Sequence, residues 1–260
     1  MKFSIAIASA VLLAQTGIAV ADKDEYEKND QATYRIEITN KTPSQWFSPC
    51  LCALHSKKRM FRSGRPATTG QATFAEDGFN AVWAKELRQQ RGVYAVLQCG
   101  GGLTPPDGTR VETISGPANA RLTCASMPVT TNDVLTAITN VKVPAYVGDS
   151  RLYKSKEWDL GSEENSYSAS TMPEDVLDLI PEGPDNPVTI SDNVIFGVYG
   201  RPLGVPALLS PFTRSFFGPS GVTAEGTMSV LREFAGSDEF PAELYGWQGA
   251  ASSVRVTRIK

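Results

Sequence analysis

The stretch ATYRIEITN, residues 32–40, alternates apolar and polar side chains with a period of two. Tyr34, Ile36 and Ile38 fall on one face of an extended chain, and the charged and polar residues between them fall on the other. This alternation is typical of a strand with one face in a core and one in water. Pro43 ends the pattern, because proline cannot donate to a central strand ladder.

Further short segments have the same character and are separated by turns rich in glycine and proline. Strands are predicted over residues 50–54, 93–98, 118–126, 133–138, 194–199, 227–234 and 252–259. One helix is predicted over residues 76–90, where apolar side chains recur at helical spacing, and long loops over 173–190 and 200–222. We therefore expect a mostly β fold, a sandwich or barrel with one helix and long loop insertions.

The first residues predict export. Lys2 precedes an apolar run over residues 3–14, and Ala19 and Ala21 form an A-x-A cleavage site. This order indicates a signal peptide over residues 1–21, followed by a polar leader over 22–31 and a folded domain over 32–260. A transmembrane anchor is the competing interpretation, but the run is shorter than the roughly 20 residues that a span needs.

Composition limits the classes of partner. The chain has 260 residues with 25 Lys and Arg against 28 Asp and Glu, a formal net charge of −3. The chain as a whole is not basic, so nucleic acid is not the expected partner. No later stretch is apolar enough to cross a bilayer, so a soluble or peripheral protein is expected after export.

The four cysteines are Cys50, Cys52, Cys99 and Cys124. An even number in an exported chain favours two disulfides. Cys50 and Cys52 are too close in sequence to bridge each other comfortably, so we expect the 50–52 segment to be tied to Cys99 and to Cys124, in an order that the sequence leaves open. A metal–thiolate site would want C-x-x-C pairs or neighbouring histidines, which are missing from the sequence.

Motifs for nucleophilic catalysis and phosphate binding are missing from the sequence. The one histidine is His55, and no G-x-S-x-G elbow occurs. The three glycines at 100–102 lack the Lys-Ser/Thr of a phosphate loop. We therefore expect His55 to be a surface or packing residue rather than a catalytic base.

An acidic grouping is a candidate metal site. Asp133 ends a polar turn, and about 25 residues later Asp159 and Glu163 flank Gly161, which permits a tight turn. Calcium prefers several carboxylate and carbonyl oxygens gathered from loops. The alternative is a solvated acidic loop, which is common and needs no ligand.

A family resemblance favours the metal site. The segments SMPVTTND (126–133) and WDLGSE (158–163), together with ITNKTP (38–43), FSP (47–49) and AEDG (75–78), resemble the spondin N-terminal domain in order and spacing. The resemblance covers roughly residues 32–170 and the last strand, whereas residues 173–250 match poorly. It implies a C2-like antiparallel β-sandwich.

The resemblance also implies a function. Its three cation-binding carboxylates fall on Asp133, Asp159 and Glu163, with calcium as the expected ion, and animal members are extracellular adhesion proteins. Two departures are visible: Val134 and Leu135 replace a frequent aromatic pair, and Glu163 stands where animal members tend to have Asp. We therefore expect a secreted or periplasmic calcium-binding adhesion module with an extracellular protein or glycan as partner, and no enzyme activity.

Two other functions remain open at this stage. A calcium-dependent carbohydrate-binding module could stack a sugar on Trp46, Trp158 or Trp247, although core packing is the commoner fate of tryptophan. A hydrolase could use paired carboxylates drawn from the set Asp133, Asp159, Glu163 and Glu164.

Overall fold

The computed structural model describes residues 31–100, 102–167, 226–238 and 240–260. The described strands are β1 (Gln31–Asn40), β2 (Leu51–His55), β3 (Val93–Gln98), β4 (Thr109–Pro117), β5 (Arg121–Ser126), β6 (Val134–Lys142), β7 (Ser150–Lys154), β8 (Lys156–Asp159), β9 (Ser229–Leu231) and β10 (Ser252–Arg258). The described helices are α1 (Thr69–Asp77), α2 (Ala81–Gln89) and α3 (Ala242–Tyr245). None of these helices is long and apolar enough to span a bilayer.

The strands form two antiparallel sheets. Four strands pair in the order β4-β1-β10-β7, and six pair in the order β3-β2-β5-β6-β8-β9. One apolar cluster joins the two sheets, with Tyr34 and Ile36 from β1, Val256 from β10, and Leu54 and Leu122 from the larger sheet. The predicted antiparallel β-sandwich is therefore confirmed, and the alternating segment 32–40 is the predicted half-buried strand, β1, which lies inside the smaller sheet.

The six-stranded sheet is buried on both faces. Cys52 and Leu54 of β2 enter the core between the sheets, whereas Leu51 and Ala53 pack under the helices. Phe74 of α1 and Trp83 and Leu87 of α2 complete this second cluster on the outer face of the sheet. All five residues of β2 are buried as a result, which explains why this strand reads as a continuous apolar run rather than an alternating one.

Two disulfides tie β2 to both of its neighbours. Cys50 bonds Cys99 just beyond β3, and Cys52 bonds Cys124, its direct cross-strand partner on β5. The prediction that the 50–52 segment is joined to Cys99 and Cys124 is confirmed, and the order that the sequence left open is now assigned. Cross-links over 49 and 72 residues restrict the unfolded chain and so stabilise the fold.

The prediction of a single helix over residues 76–90 is wrong. Two helices are present, and α1 ends at Gly78, whose φ of 67° is the left-handed conformation typical of a helix C-terminus. The apolar spacing correctly located α2, which has one buried face. Helix α1 escaped notice because nearly all of its residues are buried, so its sequence has no distinct polar side.

The predicted bounds agree closely with those of β3 and β10. The segment 93–98 is β3 as predicted, and 252–259 ends one residue later than β10. The predicted strand over 227–234 is reduced to the three residues of β9, and the segment 118–126 is a strand only from Arg121. The strands β4, β7 and β8 were missed because β4 and β7 are sheet edges with much exposed surface and β8 has only four residues.

Several predictions concern residues outside the described ranges. These are the signal peptide at 1–21, the leader at 22–30, the loops at 173–190 and 200–222 and the strand at 194–199. Gln31, predicted as the last leader residue, is already the first residue of β1.

A close helix crossing generates a stability prediction. A Cβ atom at Gly70 would lie 2.5 Å from the Cα of Trp83 on α2, whereas one at Gly100 would meet nothing within 4 Å. We expect Gly70→Ala to lower the free energy of unfolding by about 1–3 kcal/mol, because the backbone clash exceeds the small helix-propensity gain. Thermal denaturation measures the effect, with Gly100→Ala as the control. Equal melting temperatures for the two variants would contradict the tight crossing.

Candidate metal centre

The strand register brings the predicted carboxylates together. Val134 at the start of β6 pairs with Asp159 at the end of β8. Asp133 directly precedes β6, and its carbonyl oxygen accepts a hydrogen bond of 3.1 Å from the amide of Leu160. Glu163 follows four residues after Asp159, in the loop that leaves β8. Antiparallel pairing of these two strands therefore places all three residues at one end of the six-stranded sheet.

Asp133 organises the loop that follows β8. Its Oδ2 atom accepts hydrogen bonds from the amides of Ser162 at 2.6 Å and Glu163 at 3.0 Å, and from the Ser162 hydroxyl at 3.2 Å. The loop folds over this carboxylate because three donors converge on one oxygen.

Gly161 allows the chain to turn at this point. Its φ is 65°, and a Cβ atom there would lie 2.5 Å from the carbonyl oxygen of Thr227. Its amide donates to Asp159 Oδ1 at 2.8 Å, and Asp159 Oδ2 accepts from the side-chain amide of Asn165 at 2.7 Å. Gly161 thus meets both requirements for glycine, a left-handed backbone and close approach of another chain segment.

All three carboxylates are withdrawn from water. The exposed fractions are 0% for Asp133, 4% for Asp159 and 1% for Glu163. Asp133 Oδ1 and Glu163 Oε2 are buried oxygens with no hydrogen-bond partner among the described residues. Buried acceptors are normally satisfied, so these two oxygens are exceptions that a bound proton or a bound cation would relieve. The prediction of a merely solvated acidic loop does not agree with this burial.

Burial and mutual repulsion perturb these carboxyl groups. Burial, assisted by the charge of Asp159, raises the pKa of Asp133 to about 7, although hydrogen bonds from Glu163 and Ser162 act in the opposite direction. Burial also raises the pKa of Glu163 to about 8, with the charges of Glu76 and Asp133 acting in the same direction. Each group is therefore costly to ionise unless a positive charge is brought in.

The carboxylate oxygens of Asp133, Asp159 and Glu163 are of the type that binds calcium, but they lie too far apart to share one ion. Carboxylates are the ligands that calcium prefers, and two buried oxygens here have no protein partner. Among the described residues, the three potential ligand atoms that lie within 4.8 Å of one another belong to Cys50, Cys52 and Cys99, which are disulfide-bonded. The three carboxylates do not form such a group. A cation would therefore have to pull the three carboxylates closer, which neutralising their repulsion would favour.

Sequence reasoning did not assign the acidic end of α1 to this site. Glu76 is buried at the last turn of α1, and its charge is the largest electrostatic cause of the raised pKa of Glu163, with Asp77 contributing less. A carboxylate near a helix C-terminus is unfavourable on its own, and this could have served as the signal.

The asparagines that flank the carboxylates support the loop. Asn132 Oδ1 accepts a hydrogen bond of 2.7 Å from the amide of Tyr167. Tyr167 is buried against Phe234, with ring centroids 4.6 Å apart, in a small aromatic cluster that includes Tyr245 of α3. The loop after β8 is thus anchored by Asp133 at its start and by aromatic packing at its end.

Other candidate residues lie elsewhere. Glu164 is exposed, unlike its neighbour Glu163. His55 is a buried packing residue in β2, where Nε2 lies 2.9 Å from the Thr123 hydroxyl, Nδ1 contacts the Ser56 carbonyl oxygen, and burial lowers the pKa. The expectation that it might occupy the surface is wrong, and the packing alternative is confirmed.

The tryptophans considered for sugar stacking are mostly occupied by packing. Trp158 is only 8% exposed, with its ring centroid 5.3 Å from that of Phe61. Trp247 lies 5.6 Å from Phe234, and Trp46 is partly buried. The idea that Trp158 offers an exposed face is therefore wrong.

The chain matches neither a protein-family model nor a curated protein. Function must therefore be argued from the site itself.

The raised pKa values predict how stability depends on pH. Both carboxyls hold protons more tightly folded than unfolded, so in chelator the folded state binds more protons between about pH 4 and pH 8, and stability falls as the pH rises through that window. We expect the melting temperature in chelator to drop by several degrees between about pH 5 and pH 8, and the drop to be smaller in millimolar calcium.

Paired variants test the origin of that dependence. Asp133→Asn should flatten the pH profile in chelator, whereas Asp149→Asn, at an exposed position, should leave it unchanged. The same slope in both variants would show that Asp133 does not titrate as described.

Proposed function

We propose that this protein is an exported calcium-binding module of spondin type that acts in adhesion or molecular interaction. The observation that carries the proposal is the pair of buried oxygens, Asp133 Oδ1 and Glu163 Oε2, that lack a hydrogen-bond partner among the described residues. Their residues belong to a group of three carboxylates at one end of a β-sandwich.

The carboxylates need a counter-charge. The salt bridges found within the described part of the chain join Arg35 and Arg255 to Glu37 and Arg110 to Glu112, and none reaches the three carboxylates. Ionised carboxylates withdrawn from water are strongly destabilising unless they are paired or bind a metal. At neutral pH the choice is between bound protons and a bound cation, and a cation with several oxygen ligands offsets the repulsion of all three groups at once.

Calcium fits these ligands better than magnesium. Calcium accepts six to eight oxygens in variable geometry, whereas magnesium demands a near-ideal octahedron and gives up its water reluctantly. Three carboxylates on two loops that must move together suit the more adaptable ion. Binding would fix the loop after β8 against β6, so the metal would organise a surface rather than perform chemistry.

Compartment and sequence resemblance agree with this role. Two disulfides are compatible with an extracellular or periplasmic location, where millimolar calcium could fill a site of modest affinity. The proposed signal peptide at residues 1–21 would deliver the chain there. The resemblance to spondin domains places its carboxylates at Asp133, Asp159 and Glu163, and the longer side chain of Glu163 suits a site that closes only when the ion binds.

The other functions are less well supported. A hydrolase that used Glu164 would need this side chain beside the other carboxylates. Glu164 is exposed to solvent, however, whereas Glu163 is buried. Sugar stacking on Trp158 would need a face that packing against Phe61 already occupies. The proposed partner is therefore an extracellular protein or a glycan recognised by other contacts.

Adjacent glutamates provide a matched test of the metal claim. Glu163→Gln removes a buried ligand, whereas Glu164→Gln removes the same charge at an exposed position. We expect millimolar calcium to stabilise the wild type and Glu164→Gln by about 2–3 kcal/mol if the ion is near a hundredfold above its Kd. Glu163→Gln should lose most of that gain, yet be at least as stable as wild type in chelator at pH 8, because repulsion with Asp133 is relieved.

Calorimetric titration with calcium and thermal denaturation in calcium or chelator give the two readouts. The proposal is contradicted if calcium binds both variants equally, or if Glu163→Gln is destabilised by the same amount with and without calcium.

A further inference from the structure

A basic cleft lies between residues 57–62 and the two longer helices. Its volume is about 650 Å³, and Lys57, Lys58, Arg59 and Arg62 line it together with polar groups of α1 and apolar side chains of α2. This volume lies within the range typical of small-molecule sites in proteins. The carboxylate site does not include any of these residues.

The cleft concentrates positive charge on an acidic protein. The segment KKRMFRSGR, residues 57–65, contains five cations and no acidic residue, although the whole chain has a net charge of −3. In the described ranges, none of the four lining cations takes part in a salt bridge. Such a cluster produces a local positive potential that attracts anions.

An acidic side chain of α2, Glu86, is engaged by the start of α1. Glu86 Oε2 accepts a hydrogen bond of 2.6 Å from the Thr68 hydroxyl, and Glu86 Oε1 accepts one of 2.8 Å from the amide of Gly70. The carboxylate thus caps the first turn of α1. It is not among the residues that line the cleft.

The basic segment is held in place by the fold. Gln71 on α1 donates a hydrogen bond of 2.8 Å to the Met60 carbonyl oxygen, and the Gly64 amide donates one of 2.9 Å to the Met228 carbonyl oxygen. Trp83 and Leu87 lie behind it as a buried apolar wall. The cations are therefore presented by an anchored segment, which lowers the entropic cost of binding.

We propose that this cleft binds an acidic oligosaccharide through its carboxylate or sulfate groups. Arginine forks and lysine ammonium groups pair with such oxyanions, and the Gln90 side chain offers a polar contact for a hydroxyl group. The cleft is concave and accommodates a few sugar units rather than a nucleic-acid duplex. None of the strongly exposed large apolar side chains of the described residues lines it, which disfavours a membrane surface.

The proposal goes beyond the calcium-binding role and does not depend on it. Thr68 and Gln71 lie at the first turn of α1, whereas Glu76, which faces the carboxylate site, lies at the last turn. A nine-residue helix is about 13 Å long, so the two sites are separate. Anion binding should therefore persist in chelator.

Calorimetric titration of the full chain with defined sugars tests the proposal. The probes are a trigalacturonate, a heparin-derived sulfated tetrasaccharide and the neutral methyl ester of the trigalacturonate. We expect saturable one-to-one binding of at least one acidic probe, no binding of the ester, weakening with added salt, and the same affinity in calcium and in chelator.

Variants with matched charge locate the site. Arg59→Gln combined with Arg62→Gln should weaken binding of the acidic probe at least tenfold, whereas Arg151→Gln with Lys154→Gln, exposed on β7, should leave it within twofold. Melting temperatures within a few degrees of wild type for both double variants would show that the fold is intact.

Several outcomes overturn the proposal. They are no binding of either acidic probe, equal binding of the ester, equal weakening in both double variants, or tighter binding to phosphatidylglycerol vesicles or to a DNA duplex than to the acidic sugars. Failure of calcium binding with intact sugar binding would instead reject the proposed metal centre alone.

Discussion

The buried carboxylate of Asp133 controls the end of the sandwich where β6 begins and β8 ends. One of its oxygens receives three hydrogen bonds from the loop after β8, and the other has no partner among the described residues. The first fact explains why the loop folds over the sheet, and the second explains why the arrangement is electrostatically incomplete. Asp133 therefore both fixes the loop and repels one of its residues, because the loop that shields Asp133 also brings the Glu163 carboxylate near it.

The fold supplies what this arrangement needs. Because the six-stranded sheet is covered by the smaller sheet on one face and by α1 and α2 on the other, the ends of its central strands are removed from water. Disulfides from Cys50 and Cys52 fix β2 to its two neighbours in that sheet. Helix α1 connects the two proposed sites, because Gln71 at its first turn lines the basic cleft and Glu76 at its last turn acts on Glu163.

Local patterns in the sequence predicted the parts of the fold that local physics determines. The alternation around Ile36, the spacing around Trp83 and the pairing of four cysteines each have a direct physical meaning, and each agrees with the structure. Helix α1 and the edge strands could not be predicted in this way, because burial from several sides removes amphipathic spacing and exposure at an edge weakens it. The grouping of Asp133 with Asp159 followed from sequence spacing and family resemblance, whereas the burial of Glu163 beside Glu76 depends on helix packing that no short motif encodes.

The central claim is that the buried carboxylates hold a cation, and diffraction from crystals grown at pH 8 in millimolar calcium tests it most directly. The account predicts one calcium peak in contact with oxygens of Asp133, Asp159 and Glu163, with these side chains closer together than they are here. A structure at that pH with no peak at this position, and with the loop after β8 in the present conformation, would contradict it.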